Sequence, residues 1–409
     1  MVSHTLAVTA ALAICASLLP ATARAQAPAP DTLARGEYLT RAADCMACHT
    51  VPGSKPYAGG LPFKLPFGTL YAPNITADKA TGIGDWSDAD FLRAMHQGVG
   101  KGGIHYYPAF PYPSYTLLAD DDVLAIKAYL FSLPAVAKQT PENSLRFPYN
   151  QRWLMWFWNI LYNPDKRFAP DPARPADWNR GAYLVEALGH CGDCHTPRNF
   201  LQAPKTSEKF AGAIVEGWRA YNITADREAG VGAWSDQQIA DYLATGHAEH
   251  RGSAAGPMAL AVEDSLSYLR PEDTKAMVAY LRTVAPIPNA EHAAAAPNPP
   301  AAANPGPGAH VFEGACASCH APDGSGVETP YAELAGSSAI TDPAATNATQ
   351  VVLQGAHLRT REGEVLMPAF AKGYSDDEIA AVVNYVTGLI GGRATQLTAD
   401  DIRKRRDAQ

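Results

Sequence analysis

The sequence predicts a mainly helical chain of three tandem domains, the first two of them a duplication. Two observations carry this reading. A five-residue pattern, Cys-x-x-Cys-His, occurs three times in 409 residues, as Cys45–His49, Cys191–His195 and Cys316–His320. Around the first two copies, other strings recur at a constant distance. Asn74-Ile75-Thr76-Ala77-Asp78 returns as Asn222-Ile223-Thr224-Ala225-Asp226, and Trp86-Ser87-Asp88 returns as Trp234-Ser235-Asp236, both 148 positions on. The third copy lacks the Asn-Ile-Thr-Ala-Asp string.

The pattern has a specific chemistry. Two thiols three positions apart add across the two vinyl groups of one haem, and the adjacent His falls under the iron as proximal ligand. Each domain is therefore expected to be a cytochrome c-type haem domain. Cys45, Cys48 and His49 hold the first covalent haem c, Cys191, Cys194 and His195 the second, and Cys316, Cys319 and His320 the third. Half a zinc site or a redox pair does not account for a His after the second Cys in every copy. Six of the seven Cys are used, and the seventh, Cys15, lies in a segment expected to be removed. No thiol is left for a disulfide, a Cys-ligated zinc or a nucleophile.

Taken in order, residues 1–25 read as a secretory signal: an apolar stretch from Leu6 to Leu19, then Pro20 and the small-x-small site Ala23-Arg24-Ala25. Haem attachment to this motif takes place outside the cytoplasmic membrane, which agrees. The first haem domain is placed at 26–140. A helix from Asp31 to Asp44 leads into its motif, and a last helix from Asp120 to Ser132 repeats Val123, Ile126 and Leu130 at helical spacing. Gly98–Gly103 resembles a phosphate loop only superficially, because it follows a helix and not a strand, and it is read as a turn. Residues 141–170 form an aromatic segment with Trp153, Trp156 and Trp158. It is read either as packing over the first two haems or as a patch for a bilayer surface or partner. The second domain is placed at 171–284, its Gly181-Ala182-Tyr183-Leu184 matching Gly36-Glu37-Tyr38-Leu39 and its last helix running from Pro271 to Arg282. A Pro/Ala-rich linker at 285–308 suggests an independently positioned third domain at 309–392, with a last helix from Ser375 to Leu389, before a tail at 393–409.

A proximal His leaves one iron face open. Met367, in Met367-Pro368-Ala369-Phe370, is placed where a distal ligand to the third haem belongs, and Met258, in Gly256-Pro257-Met258, serves the second. Met277 lies inside a helix and is assigned to the core. The first domain supplies no Met in the matching loop: the 148 offset sets Phe110 against Met258, and alignment on Pro-Ala-Phe sets Tyr107 against Met367. His105 is ranked first as its distal ligand, ahead of Met95 or Met155 and of an open iron; His96 is also nearby.

The formal charge is −8, and removing Arg24 with the signal leaves 32 basic against 41 acidic residues, a balance of −9. That argues against nucleic acid as a partner. No uncharged apolar run beyond the signal reaches the roughly 18 residues a spanning helix needs. Three haem domains also leave no room for a separate catalytic domain.

The layout resembles the three-haem cytochrome c subunit of bacterial membrane-associated alcohol, aldehyde, gluconate and fructose dehydrogenases. The residues that carry the resemblance are Cys45–Thr50, Pro56–Asp78, Trp86-Ser87-Asp88, Tyr107–Tyr115, Gln151–Asn159, Cys191–Asn199 and Gly256-Pro257-Met258. Members often have Met where this chain has Phe110. The resemblance implies an electron-transfer subunit at the periplasmic side of the cytoplasmic membrane, peripherally attached. It would take electrons from a separate catalytic dehydrogenase subunit and pass them to ubiquinone or a terminal oxidase. The rival readings are a peroxidase- or nitrite-reductase-like haem enzyme working at an open first haem, and a free-standing electron carrier.

Overall fold

The computed structural model describes residues 28–288, 306–360 and 363–407; the expected signal at 1–25 and most of the Pro/Ala tract lie outside the described residues. A first unit runs through α1 (Pro30–Ala42), α2 (Cys45–His49), β1 (Pro62–Leu65), β2 (Gly68–Tyr71), α3 (Asp88–Gln97), α4 (Tyr112–Tyr115), α5 (Asp120–Ser132) and β3 (Ser144–Leu145). Its small antiparallel sheet pairs Phe63 with Leu70 and Gly68 with Leu145. Helix α6 (Leu154–Tyr162) follows. A second unit comprises α7 (Ala176–Tyr183), α8 (Gly192–His195), β4 (Ala213–Val215), β5 (Trp218–Ala220), α9 (Asp236–Thr245), β6 (His247–Ala248), β7 (Gly252–Ser253), α10 (Pro257–Asp264) and α11 (Pro271–Leu281). The third contains α12 (Pro307–Ala315), α13 (Ala317–His320), α14 (Ser338–Thr341), α15 (Thr346–Gln354), β8 (Ala356–Arg359), β9 (Glu364–Met367), α16 (Asp376–Leu389) and α17 (Ala399–Asp407). The chain is mainly helical, as the sequence predicts.

In each unit the leading helix crosses the last one at a glycine. A Cβ on Gly36 of α1 would lie 2.1 Å from the Ala125 carbonyl oxygen on α5. The same distance is 1.9 Å for Gly181 of α7 against Ala276 on α11, and 2.1 Å for Gly308 of α12 against Ala381 on α16. Only a residue without a side chain lets the backbones approach this closely. The third unit shares this crossing with the other two, although the string around Gly36 and Gly181 is not obvious there.

The recurring Trp-Ser-Asp string is a helix start. Ser87 caps α3 by accepting from the Asp90 amide, and Asp90 reaches back to the Ser87 amide. Ser235 and Gln238 do the same for α9, and Ser375 and Glu378 for α16. From the leading glycine to the first motif Cys is one residue longer in the second unit, Gly181 to Cys191 against Gly36 to Cys45. A π turn at Leu184–Leu188 takes up the insertion.

The first two units are paired about a pseudo-two-fold axis. Tyr38 of α1 donates to Asp273 of α11, while Tyr183 of α7 donates to Asp122 of α5 at 2.7 Å. Each tyrosine oxygen also accepts the amide of the residue preceding the other unit's last helix, Arg270 N at 3.3 Å and Ala119 N at 3.1 Å. Each aspartate is the third residue of its helix and is held by the arginine of its own unit, Arg35 to Asp122 and Arg180 to Asp273, both at 2.8 Å. One buried core runs through both units, from Leu39 and Ile126 to Leu188 and Met277.

The third unit has its own core around Phe312, Leu353 and Ile379, but its independent placement is corrected by the structure. Asn347 and the Arg219 backbone exchange two hydrogen bonds of 2.9 and 2.8 Å. Gln350 donates to the Gly217 carbonyl at 2.9 Å, and the His250 amide donates to Glu333 at 2.9 Å. A Pro-rich tether sets reach, and these polar contacts at the β4–β5 hairpin and the β6–β7 turn decide the position.

Candidate haem centres

Each motif folds as a short helical turn, which puts the two thiols on one side and the His at its end. In the first and second units the chain enters this turn through a left-handed residue, Asp44 (φ 51°) and His190 (φ 36°). The three imidazoles are then held alike. His49 Nδ1 lies 2.8 Å from the Pro73 carbonyl oxygen, His195 Nδ1 2.6 Å from that of Tyr221, and His320 Nδ1 2.6 Å from that of Ala332. A backbone carbonyl accepts, so Nδ1 carries the proton and Nε2 keeps its lone pair for a metal. Burial lowers the pKa of His49 and His195, against the opposing pull of those carbonyls, which favours the neutral, ligating ring.

The Asn-Ile-Thr string fixes the carbonyl that does this. Asn74 follows Pro73. Its Oδ1 accepts from the Thr76 amide and hydroxyl at 2.9 and 2.8 Å, and its Nδ2 donates to Val136 beyond α5 at 2.7 Å. Asn222 follows Tyr221, accepts from Thr224 at 2.8 and 2.7 Å, and donates to Ile287 beyond α11 at 2.8 Å. The string thus ties the loop under the proximal His to the end of its own unit. These carbonyl partners were not identified from sequence. Their signal, for the first two units, is the residue just before the recurring Asn; for Ala332 there is none.

The cysteines of the first two motifs fit haem attachment and not redox chemistry. Among the described residues no cysteine is in a disulfide. Burial, assisted by Asp44 beside the first pair, pushes Cys45 and Cys48 up to about 12. Burial does the same to Cys191, up to about 12, and to Cys194, up to about 11. A dithiol working by exchange needs the opposite shift. Among the described residues no group of three or more His, Cys, Asp or Glu could by itself hold a metal ion. In the third unit Cys316 and Met367 line one apolar cavity with Val352, Phe370, Tyr374 and Ile379.

A short ladder recurs in all three units. After α3, α9 and α15 the chain turns at a positive-φ glycine, Gly98, Gly246 or Gly355. The next residue pairs with a returning strand: Val99 with His105, His247 with Ser253, Ala356 with Met367. In the second unit Ser253 turns to His247, Oγ to Nδ1 3.0 Å, and Met258 in the first turn of α10 packs, as Cys191 does, against the core shared by the first two units. In the first unit Phe110 stands 148 positions before Met258, its ring 5.7 Å from that of Tyr115 and 5.9 Å from that of Tyr106. The ladder therefore sets His105 at the place of Met367, and the repeat sets Phe110 at the place of Met258. His105 Nδ1 is buried without a hydrogen-bond partner, and so is His96 Nε2. Met95 is 5% exposed in the core, Met277 is 1% exposed, and Met155 packs with Tyr112 and Trp158.

Helical units closed by a leading and a last helix around Cys-x-x-Cys-His, with carbonyl-held histidines, define a c-type cytochrome with covalently bound haem. Two family models match: "Cytochrome c" over residues 33–134 and "Cytochrome C oxidase, cbb3-type, subunit III" over residues 303–386. The fructose dehydrogenase cytochrome subunit of Gluconobacter japonicus is 38% identical over 403 residues, covering 92% of this chain and 82% of that one. The gluconate 2-dehydrogenase cytochrome c subunit of Pantoea cypripedii is 37% identical over 418 residues, covering 97% and 94%. A nicotinate dehydrogenase subunit of Pseudomonas putida is 42% identical over 357 residues, 87% of this chain, which spans only 30% of that longer protein. The chain belongs to the family of cytochrome c subunits of bacterial dehydrogenases.

Proposed function

We propose that this chain is an electron-transfer subunit with three covalent haems c. It takes electrons from the catalytic subunit of a periplasmic dehydrogenase and delivers them to ubiquinone or a terminal oxidase. The carrying observation is the threefold recurrence of a His whose Nδ1 meets a backbone carbonyl at the end of a turn that carries two cysteines. Export through the signal at 1–25 and peripheral attachment on the periplasmic side of the cytoplasmic membrane complete the reading. Bound haem supplies one-electron chemistry. The chain's own work is ligation, spacing and tuning. His49, His195 and His320 are the proximal ligands, and Met258 and Met367 the distal sulfurs of the second and third centres, which raise potential. His105, on its ladder position and with its orphaned Nδ1, is the distal ligand of the first and lowers it. Close pairing of the first two units, which share one buried core, supports fast transfer between them.

Met258→Ala and Met367→Ala should each lower one of three potentials in a redox titration and leave the other two unchanged; a titration that does not move overturns that ligand. Intact mass should show three haems per chain.

One observation favours the haem-enzyme reading: Phe110 stands where the repeat has Met258. If His105 closes the first site, reduced protein should not bind carbon monoxide at pH 7, and His105→Ala should open it. Wild-type protein that binds carbon monoxide at one haem and turns over peroxide or nitrite would make this chain an enzyme instead. The free-standing carrier reading would gain if no dehydrogenase co-purified with the native protein.

A further inference from the structure

We infer that the outward face of α6 is the surface by which this chain rests on a lipid bilayer, the helix lying in the headgroup boundary. The inference deepens the proposed membrane attachment and rests on it. Trp153 is 59% exposed, Trp156 51%, Phe157 51%, Ile160 62% and Leu161 66%. Their spacing of three, four, seven and eight is one stripe of a helix. In a helix that merely covers a core, that stripe points inward. Here the inward side carries the polar anchors. Asn159 donates to the Gln97 carbonyl at 2.8 Å and accepts from the Tyr112 hydroxyl at 2.6 Å, and Trp158 donates to the Leu201 carbonyl at 2.9 Å. The helix is apolar on both sides: Trp158, Met155 and Tyr162 pack inward with Tyr112, and a second apolar stripe is presented to solvent. Phe147 before the helix and Phe200 beside Leu201 are also exposed, at 79% and 89%.

Charge points to lipid headgroups as the occupant. From Trp153 to Asn163 there is no charged residue; the flanks carry Arg146, Arg152 and Lys166, with Arg167 paired to Asp120 and Asp165 at 3.0 and 3.1 Å, in a chain of net charge −8. A local basic rim around an aromatic face suits an anionic leaflet. Among the described residues no helix is long and apolar enough to cross a membrane. Nine residues of α6 extend about 13 Å, enough to lie in the boundary and too few to span it.

The test is co-sedimentation of purified, haem-loaded protein with vesicles of phosphatidylcholine containing phosphatidylglycerol. Wild-type protein should pellet with the vesicles, more weakly but still measurably at high salt. The double variant Trp156→Ser, Phe157→Ser should lose more than roughly tenfold in partitioning with its haem spectrum and circular dichroism unchanged, since both side chains are exposed. Ile214→Ser, an exposed apolar site on β4, should bind as wild type. If the double variant pellets like wild type, another surface binds lipid and this assignment fails while membrane attachment stands. If wild-type protein stays in the supernatant, membrane attachment itself fails. If the wild type instead dimerises in sedimentation velocity and the double variant does not, the face belongs to a second copy.

Discussion

Gly308→Val should disrupt the third unit, whereas Gly314→Ala, six residues on in the same helix, should be silent or slightly stabilising. A Cβ at Gly308 would meet the Ala381 carbonyl oxygen at 2.1 Å, with the Ala381 carbonyl carbon at 2.7 Å and Tyr385 Cβ at 2.8 Å. None of these is the far end of a flexible chain, so α12 and α16 must separate. Overpacking of this kind costs about 3 kcal/mol. Lifting the leading helix also displaces Cys316, which closes that helix, so haem incorporation at the third site should fall with stability. Nothing lies within 4 Å of a Cβ at Gly314, and alanine there gains about 0.5 kcal/mol from helix propensity and a less flexible unfolded chain. Thermal unfolding and haem-to-protein ratio of the two variants provide the measurement. Equal behaviour would mean that the crossing does not hold the unit together.

Asp273→Asn should loosen the pairing of the first two units at neutral pH and remove an acid transition. Burial works to raise the Asp273 pKa, but hydrogen bonds from Arg180 and Tyr38 outweigh it and hold the carboxyl at about 2. The folded value lies below the unfolded one of 3.8. The stabilisation is therefore fully present above about pH 4 and is lost as pH falls through about 2. The asparagine variant keeps the shape and loses the charge, leaving Arg180 without its counter-ion, at a cost of about 3 kcal/mol. The stability gap between wild type and variant, from denaturant titrations at several pH values, should be widest near neutrality and close toward pH 2. A gap independent of pH would assign the effect to packing. Tyr38→Phe combined with Asp273→Asn should be less than additive, since both break one contact.

Covalent chemistry and periodicity were the legible parts of this chain. The three Cys-x-x-Cys-His strings are plain in the sequence, and Asp120–Ser132 is observed as a helix with the predicted ends. The Trp-Ser-Asp repeat was visible as a repeat; that its serine is a helix cap needed only the residue three positions on. What stayed hidden was carried by backbone groups or by variable spacing. A carbonyl under a histidine has no letter of its own. Gly308 was missed because the distance from the crossing glycine to the first cysteine is nine, ten and eight residues in the three units. Docking of the third unit depends on Asn347, Gln350 and Glu333 meeting surface of the second, and linker composition says nothing about that. The first distal ligand divides because strand pairing and sequence repeat point to different residues of one loop.

The exchange of tyrosine and aspartate between the first two units also bears on their history. A single ancestral unit with one tyrosine on its leading helix and one aspartate on its last would already have held both halves of a self-complementary surface, and two copies would have met as a homodimer. Fusion made that contact intramolecular, and the four positions Tyr38, Asp122, Tyr183 and Asp273 can then change only in matched pairs. The two copies differ in the loops that carry Phe110 and Met258, both of which pack against the core the units share. On the proposed ligation, a difference in potential between the first two centres would arise there, at the seam that the pairing made.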